Sequence, residues 1–338
     1  MKSSERSLAT TVLVAFGGLA LLAVPVFSRG SGTEFTADMR IFAILAVRLY
    51  VQIGLLGLVN FGYSAFFGIG GYVGALFMMR LTPALVPSLL LTILATAAVA
   101  VVFGWVALKT KEVAFTMITL TFAQLLYVLA VADDRWTGGV NGLSGVPRPR
   151  LPKWLMDTLG LQLDTDVGYY VLVLTLFVLV LVFVHLLSRS RLGAVFAGIR
   201  ENEERMTVLG YHTQNYKLAG FAISGAIGGV AGYLNASLFG FIGPGSLFWT
   251  VSGEVILMVI LGGTGSLLGP VLGAALYVGL SHVAVSYTDH WRLFVGVAFI
   301  ALVMFAPEGL TRILHRLRLP TSRSTDSVAV PTAKENAT

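Results

Sequence analysis

Gly168–Leu187 reads GYYVLVLTLFVLVLVFVHLL, twenty residues with no Asp, Glu, Lys or Arg. Such a stretch is long enough to cross the ~30 Å hydrocarbon core of a bilayer as a helix. Lipid demands a helix there, because a helix satisfies every backbone N–H and C=O within its own segment. Cutting the rest of the chain at charges and at Gly/Pro clusters gives nine more apolar stretches: Leu8–Phe27, Arg40–Leu58, Gly62–Met79, Val86–Leu108, Val113–Ala132, Lys217–Phe239, Phe248–Gly263, Leu268–Ser286 and Trp291–Phe305. Arg40–Leu58 and Gly62–Met79 run together and are divided at Asn60–Gly62, because about forty apolar residues exceed one crossing. Leu8–Phe27 is read as a span rather than a secretory signal, since Pro25, Phe27 and Ser28 offer no small-x-small cleavage site. The expected fold is an all-α polytopic transmembrane helical bundle of about ten spans.

Composition agrees with that reading. Of 338 residues, 56% are hydrophobic and only 12% charged, and the mean hydropathy is +0.83. A soluble globular chain carries about 25% charged residues. The 38 glycines are above the usual ~7%, as suits helices that pack through small residues in lipid. These figures exclude a soluble enzyme and a disordered chain. With no cysteine there is no disulfide framework, no thiol chemistry and no Cys-type zinc site.

Lysine and arginine set the orientation. With the N-terminus inside, the inner segments hold fourteen of them, from Lys2 and Arg6 through Lys109, Lys111, Arg189, Arg191, Arg200, Arg205 and Lys217 to a tail beginning at Arg312. The outer side and its interface hold eight, among them Arg40, Arg80, Arg148 and Arg292. Both termini are therefore expected in the cytoplasm. The pI of 9.6 then reflects topology and attraction to anionic lipid. No nucleic-acid partner is expected, since no basic patch with interleaved aromatics lies outside the membrane. Residues 133–167 form a long outer loop, 188–216 a charged inner loop, and 320–338 a Ser/Thr/Ala-rich tail expected to be disordered.

The parts of a catalytic site are missing from the sequence. No glycine-rich stretch runs into Gly-Lys-Ser/Thr, so nucleotide binding by this chain is not expected. The five histidines are scattered without an i, i+4 pair, and no two carboxylates share one span. Neither a metal, nor a bound cofactor, nor an enzymatic activity is expected.

Four blocks carry the remaining information. Gly54–Leu76, GLLGLVNFGYSAFFGIGGYVGAL, is dense enough in glycine to bring backbones close or to let a helix unwind. It reads either as tight packing or as a wall of a solute pathway formed by Tyr63, Phe66, Phe67, Gly68, Gly70 and Gly71. Trp136–Pro147, WTGGVNGLSGVP, reads as a plain ordered loop, or as one whose amides around Thr137, Gly138, Gly139 and Asn141 meet a polar ligand. Arg200–Gly210, RENEERMTVLG, reads as a short charged helix stopped by Gly210. Met206 and Leu209 would share a face, with Glu203, Glu204 and Arg205 left in water. Ser252–Ala274 places Glu254 inside a span above a glycine-rich break.

These blocks, in this order, resemble the permease family of the branched-chain amino acid ABC importers, in the longer of its two permease types. The similarity runs from about Arg40 to Leu310. The resemblance implies a permease domain over 1–319 in a prokaryotic plasma membrane, importing by alternating access. It implies a second permease of the shorter type, two cytoplasmic ATPase subunits that use ATP and Mg, and an extracytoplasmic solute-binding protein. It also implies an ATPase-coupling role for Arg200, Glu201, Glu203, Glu204, Arg205, Met206 and Gly210. In such loops an acidic residue, two small residues and three more precede a glycine; Glu204 and Gly210 fit, while Arg205 and Met206 depart from the small residues. Tyr63 stands where the family usually has histidine, and Arg48 and Gln52 enter a stretch that is usually apolar. Related permeases handle urea and short amides, so a urea or amide importer is the alternative. An ion-coupled secondary transporter would need intramembrane charges, and only Arg48 and Glu254 qualify. Unpaired charges in lipid are costly, so a direct Arg48–Glu254 pair is one expectation. Its rival places each charge against its own cavity or polar backbone.

Overall fold

The computed structural model describes residues 31–110, 112–152, 163–287 and 290–305. The expected span Leu8–Phe27 and the tail 320–338 lie outside them. Helix α1 (Ser31–Leu49) passes into a π-helical turn, Tyr50–Leu55, and the chain then runs without helix to α2 (Tyr63–Arg80). There follow α3 (Leu85–Ala107), α4 (Glu112–Ala132), α5 (Asp166–Arg189), α6 (Arg191–Glu201), α7 (Glu203–Val208) and α8 (Thr213–Phe239). Helices α9 (Trp249–Gly262), α10 (Leu268–Tyr287) and α11 (Trp291–Phe305) complete the described chain. Among the described residues, five helices are long and apolar enough to cross a membrane: α3, α4, α5, α8 and α10. The stretches expected at Arg40–Leu58, Gly62–Met79, Phe248–Gly263 and Trp291–Phe305 are helical over much of their length but are not among those five. The architecture is a multi-pass helical bundle.

The division at Asn60–Gly62 coincides with the non-helical segment before α2. The start of α1 does not coincide with expectation, since it begins at Ser31 rather than Arg40. Thr33, Glu34 and Asp38 lower the apolar count there, and an apolar-run criterion passes over a turn that helix geometry accepts. A small β-element also qualifies the all-α expectation. The two-residue strands β1 (Leu143–Ser144) and β2 (Phe241–Ile242) pair antiparallel, Leu143 opposite Ile242, and fasten the outer loop to the end of α8.

Helix α8 is the centre of the bundle. It is 67% buried along its most apolar stretch, against 22% for α3 and α4, and it is the least apolar of the five. Contact with protein rather than lipid explains this, because small residues let backbones approach where bulky apolar ones suit lipid. Gly70 of α2 meets the backbone of Gly229, and Gly232 of α8 meets the carbonyl of Phe67. On α3, Ser88, Thr92, Thr96, Ala100 and Gly104 recur every fourth residue and are buried. Ser88 Oγ lies 2.8 Å from the Tyr233 hydroxyl, Thr96 packs on Gly229, and Ala100 on Gly225. Gly70 thus stands at a helix crossing, while Gly68 and Gly71 lie against Leu247 and Ile242.

Candidate functional site

The inner loop is built as two helices, not one. Ser190 Oγ caps α6 by accepting from Gly193 N at 3.2 Å. Asn202 adopts an extended backbone, and its Oδ1 accepts from Arg205 N at 2.8 Å, so it ends α6 and caps α7. The expected single helix through Arg200–Gly210 is therefore broken at Asn202, because a side chain suited to capping competes with the helix interior. Removing the cap with Asn202→Ala should cost α7 about 1 kcal/mol. Amide exchange at Arg205 should speed up by about fivefold as a result, and unchanged exchange would show that the cap holds nothing.

Glu203, expected in water, is half-buried instead. It accepts from Lys217 Nζ at 2.5 Å and from Thr213 Oγ1 at 3.2 Å, tying α7 to the first turn of α8. Met206 and Leu209 do not share a buried face. The Met206 sulfur packs over Gly198, whereas Leu209 is 66% and Val208 87% exposed. The shorter helix turns Leu209 outward, and Glu201, Glu204 and Arg205 are exposed with it. Gly210 ends the unit with φ +88° and open space around it. Arg200 turns inward, donating from Nη1 to the Gly54 carbonyl at the end of the π-turn. Between α7, the α3–α4 turn and the segment after the π-turn lies an open cavity of about 1120 Å³, lined among others by Gly57, Lys109, Thr116, Arg200, Glu204 and Val208.

The second feature is a polar joint inside the bundle. Arg48, in the last turn of α1, is fully buried. Its Nη1 donates to the Tyr63 carbonyl at 2.8 Å and its Nε to Ser224 Oγ at 3.2 Å. Its guanidinium stands 5.2 Å from the Tyr63 ring centre and 4.9 Å from that of Phe66. Gln52 Oε1 accepts from Asn60 Nδ2, Asn60 N donates to the Tyr63 hydroxyl at 3.4 Å, and Gly62 N donates to Asn60 Oδ1 at 3.1 Å. Ser64 N, in the first turn of α2, donates to Ser252 Oγ at 2.9 Å. These bonds satisfy a stretch of backbone that no helix satisfies, as burial requires.

The Arg48–Glu254 pair does not form. Neither residue takes part in the ion pairs Arg148–Asp166 and Lys217–Glu203. Glu254 is half-buried in the second turn of α9, and the ionisable groups that act on it electrostatically include Arg292 and Tyr277. The early start of α1 puts Arg48 at the far end of its helix and removes the matching of depth on which the pair rested. Arg40, assigned by sequence to the outer interface, is a second buried cation. It donates to the Thr36 carbonyl at 2.8 Å and to the Tyr170 hydroxyl at 2.5 Å.

Tyr63, Phe66 and Phe67 are buried with the polar joint and α8. The outer-loop residues stand apart, at the end of α4. Thr137 Oγ1 donates to the Ala130 carbonyl at 2.6 Å, and Gly139 N to the Asp133 carbonyl at 3.3 Å. That amide closes the helix end. Gly138 and Asn141 complete the same turn, which touches the turn Pro244–Leu247, and that turn in turn packs on α2. Ser224 was not singled out by sequence, while Asn60 entered only as a boundary and Ser252 only as the start of its block. No group of His, Cys, Asp and Glu able to hold a metal occurs among the described residues.

The fold and these two features define a multi-pass helical membrane protein with a helix pair, α6 and α7, leading into α8 and a buried polar joint. Residues 33–305 match the family described as branched-chain amino acid transport system, permease component. The chain belongs to that family of transporter permeases. It is 31% identical over 313 residues to the high-affinity branched-chain amino acid transport system permease protein LivM of Salmonella typhimurium, covering 86% of this chain and 73% of that relative. It is 24% identical over 283 residues to the corresponding permease protein BraD of Pseudomonas aeruginosa, covering 80% and 91%. It is also 28% identical over 244 residues to the autoinducer 2 import system permease protein LsrC of Escherichia coli O157:H7, covering 70% and 66%. No solved structure matches the chain.

Proposed function

We propose that this chain is the membrane permease subunit of an ATP-driven importer for branched-chain or closely related amino acids. The family match over residues 33–305 carries the reading. In it the bundle has about ten spans with both termini in the cytoplasm of a prokaryotic cell, and it pairs with a second, shorter permease. Of two cytoplasmic ATPases, using ATP and Mg, one docks on the face formed by Glu204, Arg205, Val208 and Leu209 along and just after α7, whose exposure supports such a contact. An external binding protein delivers the solute. Closure of the ATPases pushes on α6–α7 and rocks the spans between outward and inward access. Proteoliposomes holding the four-subunit complex and the binding protein should accumulate labelled leucine only with ATP inside. Accumulation of urea but not of leucine, or uptake of leucine by this chain without ATP, would overturn the reading.

A further inference from the structure

Resting on that importer reading, we propose that Arg48 and Gln52 form a recognition point for the carboxylate of the transported solute, at the joint between α1 and α2. Two unpartnered polar atoms mark it. Arg48 Nη2 and Gln52 Nε2 are buried and have no hydrogen-bond partner, and both residues are fully enclosed by this chain. They stand four residues apart, Arg48 in the last turn of the helix and Gln52 in the π-turn. What the cluster lacks is an acceptor. The amide oxygen of Gln52 is already engaged by Asn60, and the remaining Arg48 nitrogens by Tyr63 and Ser224.

Charge points the same way. A cation deep in a bundle is costly unless it is matched, yet the partners of Arg48 are a carbonyl, a hydroxyl and two aromatic faces, all neutral. A carboxylate offers two acceptor oxygens to two free donors. The surrounding backbone is suited to opening, since it is a π-turn followed by non-helical chain rather than a continuous helix. Broken helices at membrane depth are where transported solutes are held by helix ends and freed backbone.

Gln52→Glu provides the sharpest test in the reconstituted complex. The new carboxylate would pair with Arg48 inside the protein, so thermal stability should rise while ATP-driven leucine import falls by about ten- to a hundredfold, the loss expected for charge-assisted hydrogen bonds. Arg48→Met should lose import to the same extent without losing co-purification with the ATPases, and Arg48→Lys should retain part of it. Wild-type import by Gln52→Glu at raised stability would overturn the proposal, leaving Arg48 a purely structural group. Replacing chloride by isethionate separates the two sources of anion. Wild-type import and melting temperature should be unchanged, whereas a fall in the wild-type melting temperature that Arg48→Met does not share would assign the donors to a resident chloride and overturn the solute role. If the wild-type complex itself imports no leucine, the importer reading fails and not this site.

Discussion

Gly70→Leu should deprive the chain of its fold, not merely of a pathway. A side chain at Gly70 would run into the backbone oxygen and α-carbon of Gly229, and neither helix can move aside without disturbing α3, which packs on the same face of α8. Overpacking against side chains costs about 1–3 kcal/mol, and against backbone the cost should exceed about 4 kcal/mol. Size-exclusion profiles of detergent-extracted protein should show aggregate or nothing for Gly70→Leu. Gly279→Leu, where nothing lies within 4 Å, should give the wild-type peak. A monodisperse Gly70→Leu with an unchanged melting temperature would mean that α2 and α8 do not cross at that glycine.

The pair Glu204→Lys and Gly210→Asp should do the opposite, sparing the fold and abolishing import. Glu204 is exposed and makes no ion pair or side-chain hydrogen bond among the described residues. An aspartate at the left-handed Gly210 costs only about 1–2 kcal/mol in a segment that α7 can absorb. A reversed charge at the centre of a docking face costs about 2 kcal/mol or more, roughly thirtyfold in affinity. The double variant should therefore insert and purify normally, lose the ATPase subunits on washing, and import at background. Retention of the ATPases with full import would remove α7 from the coupling role.

Much of this was legible from residue order. Ala132 and Phe239 end α4 and α8 where charge and glycine cues place them, and Asp166 opens α5 within two residues of the expected boundary. Lipid imposes long apolar runs, and such runs are visible without knowledge of neighbours. What escaped depends on neighbours. Asn202 breaks the inner helix because its side chain finds the Arg205 amide, Glu203 is drawn inward by Lys217, and Arg40 is buried by Tyr170. The polar joint was half legible. Arg48 and Gln52 stood out as polar residues in an apolar stretch, but Asn60, Ser224 and Ser252 acquire meaning only when α1, α2, α8 and α9 meet.

The central helix also bears on how the protein is made. Helix α8 is the least apolar of the five long apolar helices, so on its own it partitions into lipid less readily than α5 or α3 does. Its partners α2 and α3 precede it in the chain and are synthesised first. When α8 emerges, the small-residue faces of Gly70 and of Ser88–Gly104 are already in the bilayer to receive it. Deleting α2 or α3 should therefore strand α8 outside the hydrocarbon layer, although its own sequence is untouched. Insertion of this chain is thus a vectorial assembly in which early helices act as the solvent for a later one.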